Sequence, residues 1–302
     1  MLELNEFSLY HAERKFRALS SIPIVPCLGS VLNSALLKNI LQVHKINTVY
    51  HAAAYKHVPL VEENPLEGLL NNALGTRTLV EKCIEAEVGS FVLISTDKAV
   101  RPTNVMGASK RIAELIVQNA ARRFPERKLG IVRFGNVLDS SGSVVPLFRE
   151  QIKKRMSITV THPEITRYFM SIGEAARLVI QAGSMSVNGE VFLLDMGQPV
   201  KIKDLALQMI ELSGLVPEKD IPLQFTGLRP GEKLYEELLI DPAQSQPTQH
   251  PRIFSSEEPL PEVKVLEKEI SILTEAIEQR DISAALDSMK RLVPEYNPEN
   301  GQ

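Results

Sequence analysis

The feature that most constrains the fold is a regular alternation of short apolar segments with amphipathic segments of helical spacing. Four short apolar runs rich in β-branched residues predict strands at 22–28, 48–54, 90–94 and 130–134. Segments with apolar residues at helical spacing predict helices at 5–19, 34–44, 67–86 and 109–123. Continuous apolar strands separated by amphipathic helices favour an α/β fold with a doubly wound parallel sheet, covered by helices on both faces.

The alternation loosens after residue 136. Helical patterns at 141–154, 171–183 and 202–214, with one further strand at 189–197, predict a smaller α/β portion beside the sheet. Residues 241–261 contain several Pro, Gln and Ser and predict a linker. The charged helical pattern at 263–292 predicts a helical hairpin, which we interpret as a stabilising appendage.

Composition excludes several classes of partner and site. The 34 basic and 37 acidic residues leave a net charge of −3, so no basic field indicates nucleic acid. The two cysteines, Cys27 and Cys83, have no C-x-x-C spacing, so no metal site is predicted and a reducing compartment fits best. No apolar run approaches the ~18 residues of a membrane span, and the first residues lack the order of a signal peptide. We therefore expect a cytoplasmic chain.

The densest group of chemically active residues follows the predicted strand at 90–94. Ser95, Thr96, Asp97 and Lys98 follow it directly. Because the carboxyl ends of parallel strands line the ligand crevice, a hydroxyl, a carboxylate and an ammonium there are a candidate site. Ser-Thr-Asp runs are also ordinary helix starts, so a polar cap with a surface Asp97–Lys98 pair is an equally weighted alternative.

The segment STDK, followed by MGASK, resembles the active-site segment of extended short-chain dehydrogenase/reductases, in particular nucleotide-sugar 4,6-dehydratases. Four further segments resemble the polysaccharide-biosynthesis (CapD-like) UDP-N-acetylglucosamine 4,6-dehydratases: VYHAAAYKHVPLVEENPLEGLLNNALGT, RFGNVLDSSGSVVPLF, THPEITRYFMSIGEA and LRPGEKLYEELL. The resemblance implies a Rossmann-type NAD-binding domain at 1–137, a mainly substrate-binding portion at 138–245, and a linker with a helical tail at 246–302.

The resemblance implies a reaction in surface polysaccharide, O-antigen or capsule synthesis. Bound NAD⁺ takes hydride from sugar carbon 4, water is lost across carbons 5 and 6, and the hydride returns to carbon 6. By position, Thr96 resembles the hydroxyl donor, Asp97 the acid for the departing hydroxide and Lys98 the base for the carbon-5 proton. Because a lysine accepts a proton only when neutral, we expect the pKa of Lys98 to be lowered, beside the nicotinamide and Lys110.

Met106 stands where most members of the resembled family have a tyrosine, four residues before Lys110. A thioether carries no proton, so the tyrosine's role at the carbon-4 hydroxyl falls to Lys110, Asp97 or a water network, or the step is slow. On residue type alone, Met106 fills a gap in the core. Its spacing from Lys110 favours the catalytic position.

The resemblance also assigns ligand contacts. The residues implied for NAD are Glu3, Ala52, Ala53, Ala54, Lys56, Asn72 and Lys110, with core packing as the alternative for the three alanines. The residues implied for the UDP-sugar are Asn136 and Arg229 at the diphosphate, Glu232 near the uridine ribose, and His57 and Arg167 with weaker support. An arginine on a Pro-Gly turn suits a forked phosphate contact, although many turn arginines are merely solvated.

The resembled fold opens with a strand, a G-x-G-x-x-G turn and a helix. The sequence has no such turn; its first glycine is Gly29, and its first residues resemble the end of the second strand, with Glu3 as the ribose-binding acid. We therefore expect about 30 residues of this unit to lie upstream. Without the first strand, the middle of the sheet should be open and NAD binding weak.

Two alternatives to a dehydratase stay open: a nucleotide-sugar epimerase and a non-catalytic nucleotide-sugar-binding protein. The Asp97–Lys98 pair argues against the epimerase, because a carbon-4 epimerase needs no acid for a departing hydroxide. The longer members of the resembled family carry an N-terminal membrane region, which makes the inner face of the membrane a location for a full-length form. The configuration of the product at carbon 5 is open, with retention favoured, and a homo-oligomer is an expectation only.

Overall fold

The computed structural model describes residues 1–237 and 245–298. In this part of the chain the α-helices are α1 Glu6–Leu19, α2 Ser34–Val43, α3 Val58–Glu63, α4 Pro65–Leu69, α5 Gly75–Glu85, α6 Val105–Arg123, α7 Val144–Lys153, α8 Ile172–Met185, α9 Ile202–Leu212, α10 Val263–Glu278 and α11 Ile282–Leu292. A π-helical turn, Leu70–Leu74, joins α4 to α5, and a 3₁₀ turn, Asp97–Ala99, precedes α6.

The strands are short apart from two in the centre of the main sheet. They are β1 Leu2–Glu3, β2 Cys27–Leu28, β3 Thr48–His51, β4 Ser90–Thr96, β5 Lys128–Phe134, β6 Asn136–Val137, β7 Ile158–Val160, β8 Thr166–Arg167, β9 Phe169–Met170, β10 Val191–Leu194, β11 Val200–Lys201, β12 Leu223–Phe225, β13 Ser245–Pro247 and β14 Ile253–Ser256.

The main sheet has six strands in the order β13-β14-β10-β5-β4-β3. Its strands β3, β4, β5 and β10 are parallel, with Leu93 opposite Ile131 in the central pair. This confirms the predicted α/β fold with a parallel sheet. Strands β1 and β2 form a separate parallel pair, with Leu2 opposite Cys27. The described strands thus form the six-stranded sheet and four two-stranded sheets. The opening in the middle of the sheet that the sequence leads us to expect stays a prediction.

Burial of both sheet faces explains why the central strands are continuously apolar. Successive strand residues point to opposite faces. Phe91 and Leu93 of β4 belong to the apolar cluster shared with α2, α5 and α6, whereas Val92 between them belongs to the cluster shared with α8. All three side chains are fully buried. Helices therefore cover the sheet on both sides, as the uninterrupted apolar runs predict.

A smaller unit with its own core forms beside the carboxyl ends of the strands. Helices α7 and α9 enclose the pair β7–β12, and the centre of this core is formed by Phe148, Ile158, Ile210 and Ile221. Two elements from the middle of the sequence do not join this unit: β10 pairs with β5 of the main sheet, and α8 packs on that sheet. The domain boundaries at 137/138 and 245/246 stay a prediction.

The structure corrects the predicted linker at 241–261. Residues 241–244 lie outside the described part of the chain, but β13 and β14 continue the main sheet by antiparallel pairing, with Phe254 opposite Leu193 of β10. The Pro, Gln and Ser content of this segment predicted a loop because it carries few apolar residues. The edge of β10 nevertheless offers backbone partners, and Ile253 is fully buried there.

The predicted helical hairpin is confirmed as α10 and α11. Its apolar face packs on α4 and α6, where Leu266, Leu273 and Met289 are fully buried in one cluster with Ile112. None of the helices in the described ranges is both long and apolar enough to cross a membrane. Among those same residues, no group of His, Cys, Asp or Glu could hold a metal ion.

Candidate active site

The candidate site begins where β4 ends at Thr96 and the chain turns into α6. The Asn104 side chain caps α6 by accepting a hydrogen bond from the Gly107 backbone N–H at 2.8 Å. A Cβ at position 107 would lie 2.2 Å from the Lys98 carbonyl oxygen. Glycine is therefore required there, because only a bare Cα lets the first turn of α6 approach the 3₁₀ turn this closely.

Asp97 and Lys98 form a buried ion pair on the floor of a cleft. One Asp97 oxygen, Oδ1, accepts hydrogen bonds from Thr96 Oγ1 at 2.8 Å and Lys98 Nζ at 3.0 Å. The other oxygen, Oδ2, is buried without a hydrogen-bond partner in the described residues. Lys98 Nζ also donates to Asn136 Oδ1 at 3.4 Å and lies 3.5 Å from Glu236 Oε1. The alternative of a surface pair is wrong, because Asp97 is fully buried.

The protonation of Lys98 differs from the sequence expectation. Burial lowers the pKa of Lys98, but the carboxylates of Asp97 and Glu236 outweigh it and hold that pKa above its usual value. This direction is opposite to the lowering expected from the sequence. The reason is tertiary: a second carboxylate approaches Lys98 from a distant part of the sequence.

Glu236 is a site residue that the sequence reasoning missed. Its side chain is almost fully buried, and its Oε1 lies between Lys98 Nζ and Arg167 Nε, 3.6 Å from the latter. Arg167 in turn reaches Glu232 Oε1 at 3.4 Å. The available signal was the spacing in LRPGEKLYEELL, where the second acid follows Glu232 by four residues.

A cleft of about 300 Å³ opens above this row of alternating charges. It brings together all five residues implied for the substrate, one implied for NAD and the lysine implied as the base. These are His57, Asn136, Arg167, Arg229 and Glu232, then Lys56, then Lys98. Within the described ranges, the exposed Arg229 guanidinium has no acidic partner. The cleft therefore presents the exposed guanidinium of Arg229 beside the ammonium of Lys98, which is already paired with Asp97.

The turn that carries Arg229 is held against the start of α6. The Thr103 hydroxyl and the Asn104 amide both donate to the Gly231 carbonyl, at 2.8 and 3.0 Å. Gly231 has φ +72°, and a Cβ there would lie 2.9 Å from the Thr103 carbonyl oxygen. The Pro-Gly turn thus requires its glycine for both backbone conformation and space.

Lys110 lies behind the end of β4 rather than in the cleft. Its Nζ donates to the Ile94 carbonyl at 2.8 Å, and its side chain is almost fully buried. Burial lowers the pKa of Lys110 to about 8, although the nearby Glu114 carboxylate raises it. The lowered lysine pKa expected at this site is therefore found at Lys110, not at Lys98.

The segment after β3 presents small side chains at the surface. Ala52 and Ala53 are exposed and Ala54 is half-buried, so core packing does not explain the first two alanines. Asn72, in the π-helical turn, accepts from the Tyr55 backbone N–H at 2.7 Å and donates to its carbonyl at 2.9 Å. Asn72 thus fixes the backbone just beyond the alanines. π-helical turns of this kind often occur at functional sites.

Two residues predicted for the site lie away from the cleft. Met106 is 4% exposed and belongs to the apolar cluster formed by α4, α6, α10 and α11, which supports the core interpretation of this thioether. Glu3 ends β1, and its carboxylate accepts from the Asn5 backbone N–H at 2.8 Å. The described structure does not bring Glu3 to any other predicted site residue.

The family model described as polysaccharide biosynthesis protein matches residues 1–258 of this chain. The chain belongs to this family. The capsular polysaccharide biosynthesis protein CapD of Staphylococcus aureus is 53% identical over 241 residues, which are 79% of this chain and 40% of CapD. The chain therefore spans well under two thirds of that curated relative.

Other relatives of this family member carry a different activity in their names. A UDP-glucose 4-epimerase of Rickettsia canadensis is 36% identical over 224 residues, covering 74% of the chain and 64% of the epimerase. Among solved structures, Pen from Bacillus thuringiensis has a TM-score of 0.78 at 34% identity, covering 85% of this chain and 79% of Pen.

A more distant structure shows the fold alone. DesIV of Streptomyces venezuelae, a dTDP-glucose 4,6-dehydratase solved with NAD and TYD bound, has a TM-score of 0.65 at 20% identity, covering 75% and 74% of the two chains. The fold of this family member is therefore that of extended short-chain dehydrogenase/reductase dehydratases and epimerases.

Proposed function

We propose that the chain carries the active site of an NAD-dependent nucleotide-sugar 4,6-dehydratase that converts UDP-N-acetylglucosamine to UDP-4-keto-6-deoxy-N-acetylhexosamine for surface polysaccharide synthesis. The observation that supports it most is the Asp97–Lys98 pair, which combines an acid and a base at the end of β4, beside the cleft that Arg229 lines. Elimination of water needs both a proton donor and a proton acceptor at adjacent carbons.

The substrate diphosphate is assigned to the cationic side of the cleft. Arg229 projects from the Pro-Gly turn without an acidic partner in the described residues, and a guanidinium can bind phosphate oxygens through two N–H groups. Asn136 and the buried Arg167 line the same cleft. Glu232 and His57 complete the assigned nucleotide contacts. This places the hexose towards Lys98.

We assign the three residues at the end of β4 to the elimination of water, whereas the proton of the carbon-4 hydroxyl leaves to Lys110, Asp97 or a water network. Thr96 donates a hydrogen bond to the oxygen that develops negative charge at carbon 4. Asp97, when protonated, donates to the departing hydroxide, and neutral Lys98 accepts the proton from carbon 5. Despite burial, the carboxylates of Asp97 and Glu236 raise the pKa of Lys98 and so favour its ammonium form. The ammonium must therefore lose a proton before the carbon-5 step can begin.

The residues fit the nicotinamide end of NAD. The exposed Ala52 and Ala53 leave the backbone after β3 open to a flat ring, Lys110 lies behind the adjacent strand end, and Lys56 lies within reach of a ribose or phosphate. When bound, NAD supplies hydride acceptance and hydride donation. Asn72 holds the backbone just beyond the alanines in place through its two hydrogen bonds with the Tyr55 backbone.

Free thiols support a location in a reducing compartment. Cys27 and Cys83 are both unpaired, which is usual for cytoplasmic proteins. We therefore place the reaction in the cytoplasm.

Mass spectrometry tests the proposed reaction. Incubation with UDP-N-acetylglucosamine and NAD should yield a product that has lost one water. Lys98→Arg should lower the dehydration rate by about 100-fold or more, because an arginine cannot act as the base. The matched control is Lys154→Arg at the exposed end of α7, which should leave the rate unchanged. Full dehydration by Lys98→Arg, or no water loss by folded protein with NAD bound, would contradict the proposal.

A nucleotide-sugar epimerase is the second candidate, supported by the name of the Rickettsia relative. An epimerase would change the sugar configuration at constant mass, so the same measurement separates the two activities. The buried acid Asp97 favours the dehydratase, because epimerisation at carbon 4 expels no hydroxide.

A further inference from the structure

Glu236 lies between two cations and makes a long ion pair with each of them. Its Oε1 lies 3.5 Å from Lys98 Nζ and 3.6 Å from Arg167 Nε, whereas charge-assisted hydrogen bonds are usually 2.7–2.9 Å long. Its other oxygen, Oε2, is buried without a hydrogen-bond partner among the described residues. The carboxylate is thus held loosely in the floor of the cleft.

The groups that face Lys98 come from four parts of the chain. Asp97 is its sequence neighbour, Asn136 follows β5, and Arg167 and Glu236 come from the smaller unit. Asp97 already accepts a hydrogen bond from Thr96, and Asn136 does not titrate. Glu236 and Arg167 are therefore the charged groups that can change the proton affinity of Lys98 without altering the acid assigned to the departing hydroxide.

We propose that Glu236 is a positioning residue for Lys98 and that Arg167 opposes its effect. The balance between the negative charge of Glu236 and the positive charge of Arg167 sets how readily Lys98 gives up its proton. Glu236 attracts the ammonium towards the cleft floor. Arg167 repels the ammonium and also attracts Glu236 away from it. The meaning of this balance for catalysis rests on the proposed dehydratase function, whereas the balance itself does not.

Chemical labelling tests the balance without substrate or cofactor. A neutral amine-reactive reagent modifies only unprotonated amines, so the initial modification rate of Lys98 at pH 8 reports its neutral fraction. Digestion and mass spectrometry give this rate relative to exposed lysines of the same sample. Glu236→Gln should raise the relative rate about tenfold, because an opposite charge at this distance shifts a pKa by about one unit or more. Arg167→Gln should lower it.

Glu237→Gln is the matched control, since Glu237 is the neighbouring glutamate but pairs with Arg101 instead of Lys98. It should leave the Lys98 rate unchanged. An unchanged rate in Glu236→Gln, or the same change in both glutamine variants, would overturn the proposal. If Glu236→Gln does not fold, as judged by circular dichroism, the opposite shift in Arg167→Gln decides the question, and an equal or higher rate there overturns it.

Enzyme kinetics connects the balance to the reaction. If the protein dehydrates its substrate, the acidic limb of the pH profile of kcat/KM should move to lower pH in Glu236→Gln by about the same one unit, because that limb reports the free base. Glu236→Asp should restore part of the shift. A labelling shift without any dehydration would instead reject the proposed function and retain the positioning role.

Discussion

Two clusters of buried charge lie on either side of β4, and they differ in how tightly their members are bound. The cleft cluster consists of Asp97, Lys98, Arg167, Glu232 and Glu236. The sealed cluster lies behind the sheet and consists of Arg111, Glu114, Arg133, Glu258 and Glu295. In the sealed cluster Arg133 donates to both Glu114 oxygens, at 2.7 and 2.6 Å, and to Glu258 at 2.7 Å. Ion-pair contacts in the cleft cluster are 3.0–3.6 Å long.

The two clusters use the same residue types in different ways: the sealed cluster stabilises the fold, and the cleft cluster is available for proton transfer. Burial raises the pKa of Glu114, but Arg133 and Arg111 outweigh it and lower that pKa to about 2, so the carboxylate stays charged at any ordinary pH. The sealed cluster joins β5 and α6 to the C-terminal segment, because Glu258 and Glu295 come from that segment. Both clusters contain a buried carboxylate oxygen without a hydrogen-bond partner among the described residues, on Asp97 and Glu236 in the cleft cluster and on Glu258 in the sealed cluster. The cleft cluster differs because Lys98, Arg167 and Glu236 line the cavity, where a ligand can exchange protons with them.

The largest expected effect follows from breaking the sealed cluster. Arg133→Met should lower the free energy of unfolding by about 3–5 kcal/mol, because two buried carboxylates, Glu114 and Glu258, lose their nearest cation. Urea denaturation followed by circular dichroism measures the change. Lys98→Met is the comparison variant and should cost less, since the Lys98 side chain is 20% exposed and its ion pairs are longer, whereas the Arg133 side chain is fully buried. Equal losses in the two variants would show that the two clusters are not different in kind.

A smaller effect concerns His51, a sealed polar group at the end of β3. Its Nε2 lies 2.9 Å from the Thr76 hydroxyl, and that hydroxyl donates to the Asn72 carbonyl, so His51 is the donor. Burial, aided by the Lys110 charge, lowers the pKa of His51 to about 3. Between pH 6.5 and 3, His51 is therefore protonated in the unfolded chain but neutral in the folded chain. The free energy of unfolding must fall as the pH falls through this range.

The expected contribution of His51 is a loss of about 2 kcal/mol in the free energy of unfolding from pH 7 to pH 5. Urea denaturation at the two pH values, in the native chain and in His51→Gln, isolates this contribution from that of the carboxylates. The variant should lose less stability over the same interval. Parallel pH dependence in both proteins would mean that His51 is protonated in the folded chain.

The smallest effect is expected at Met106, which lies in the apolar cluster that α6 shares with α4, α10 and α11. Met106→Leu conserves volume and should cost less than about 1.5 kcal/mol in the free energy of unfolding, with the dehydration rate kept. Thermal unfolding and the mass-spectrometric assay measure both quantities. A strong loss of dehydration rate at unchanged stability would show that Met106 takes part in the reaction and does not only fill the core.

Local patterns account for much of what could be predicted. The apolar runs located β4 and β5, and the helical spacing located α1, α6 and the C-terminal hairpin. The run from Thr96 to Lys98 was placed at the end of a strand by the same reasoning. These features depend on near neighbours in the sequence, so a single chain is enough to read them.

The features that were missed depend on contacts between distant segments. The strands β13 and β14 form because β10 offers them an open edge. Glu236 became a site residue only because the smaller unit folds over the end of β4. The direction of the Lys98 pKa follows from that same approach, since the charges around a side chain are a property of the folded chain.

The sequence by itself determined the alternation of strands and helices, the parallel sheet and the chemical groups at the end of β4, because periodicity and residue type are local. The tertiary structure decided which of those groups are charged and how firmly. It put Lys98 between two carboxylates in an open cleft, and it put Arg133 among carboxylates that no ligand reaches. Coulomb energy depends on distance and on exclusion of water, and the packing of remote segments sets both.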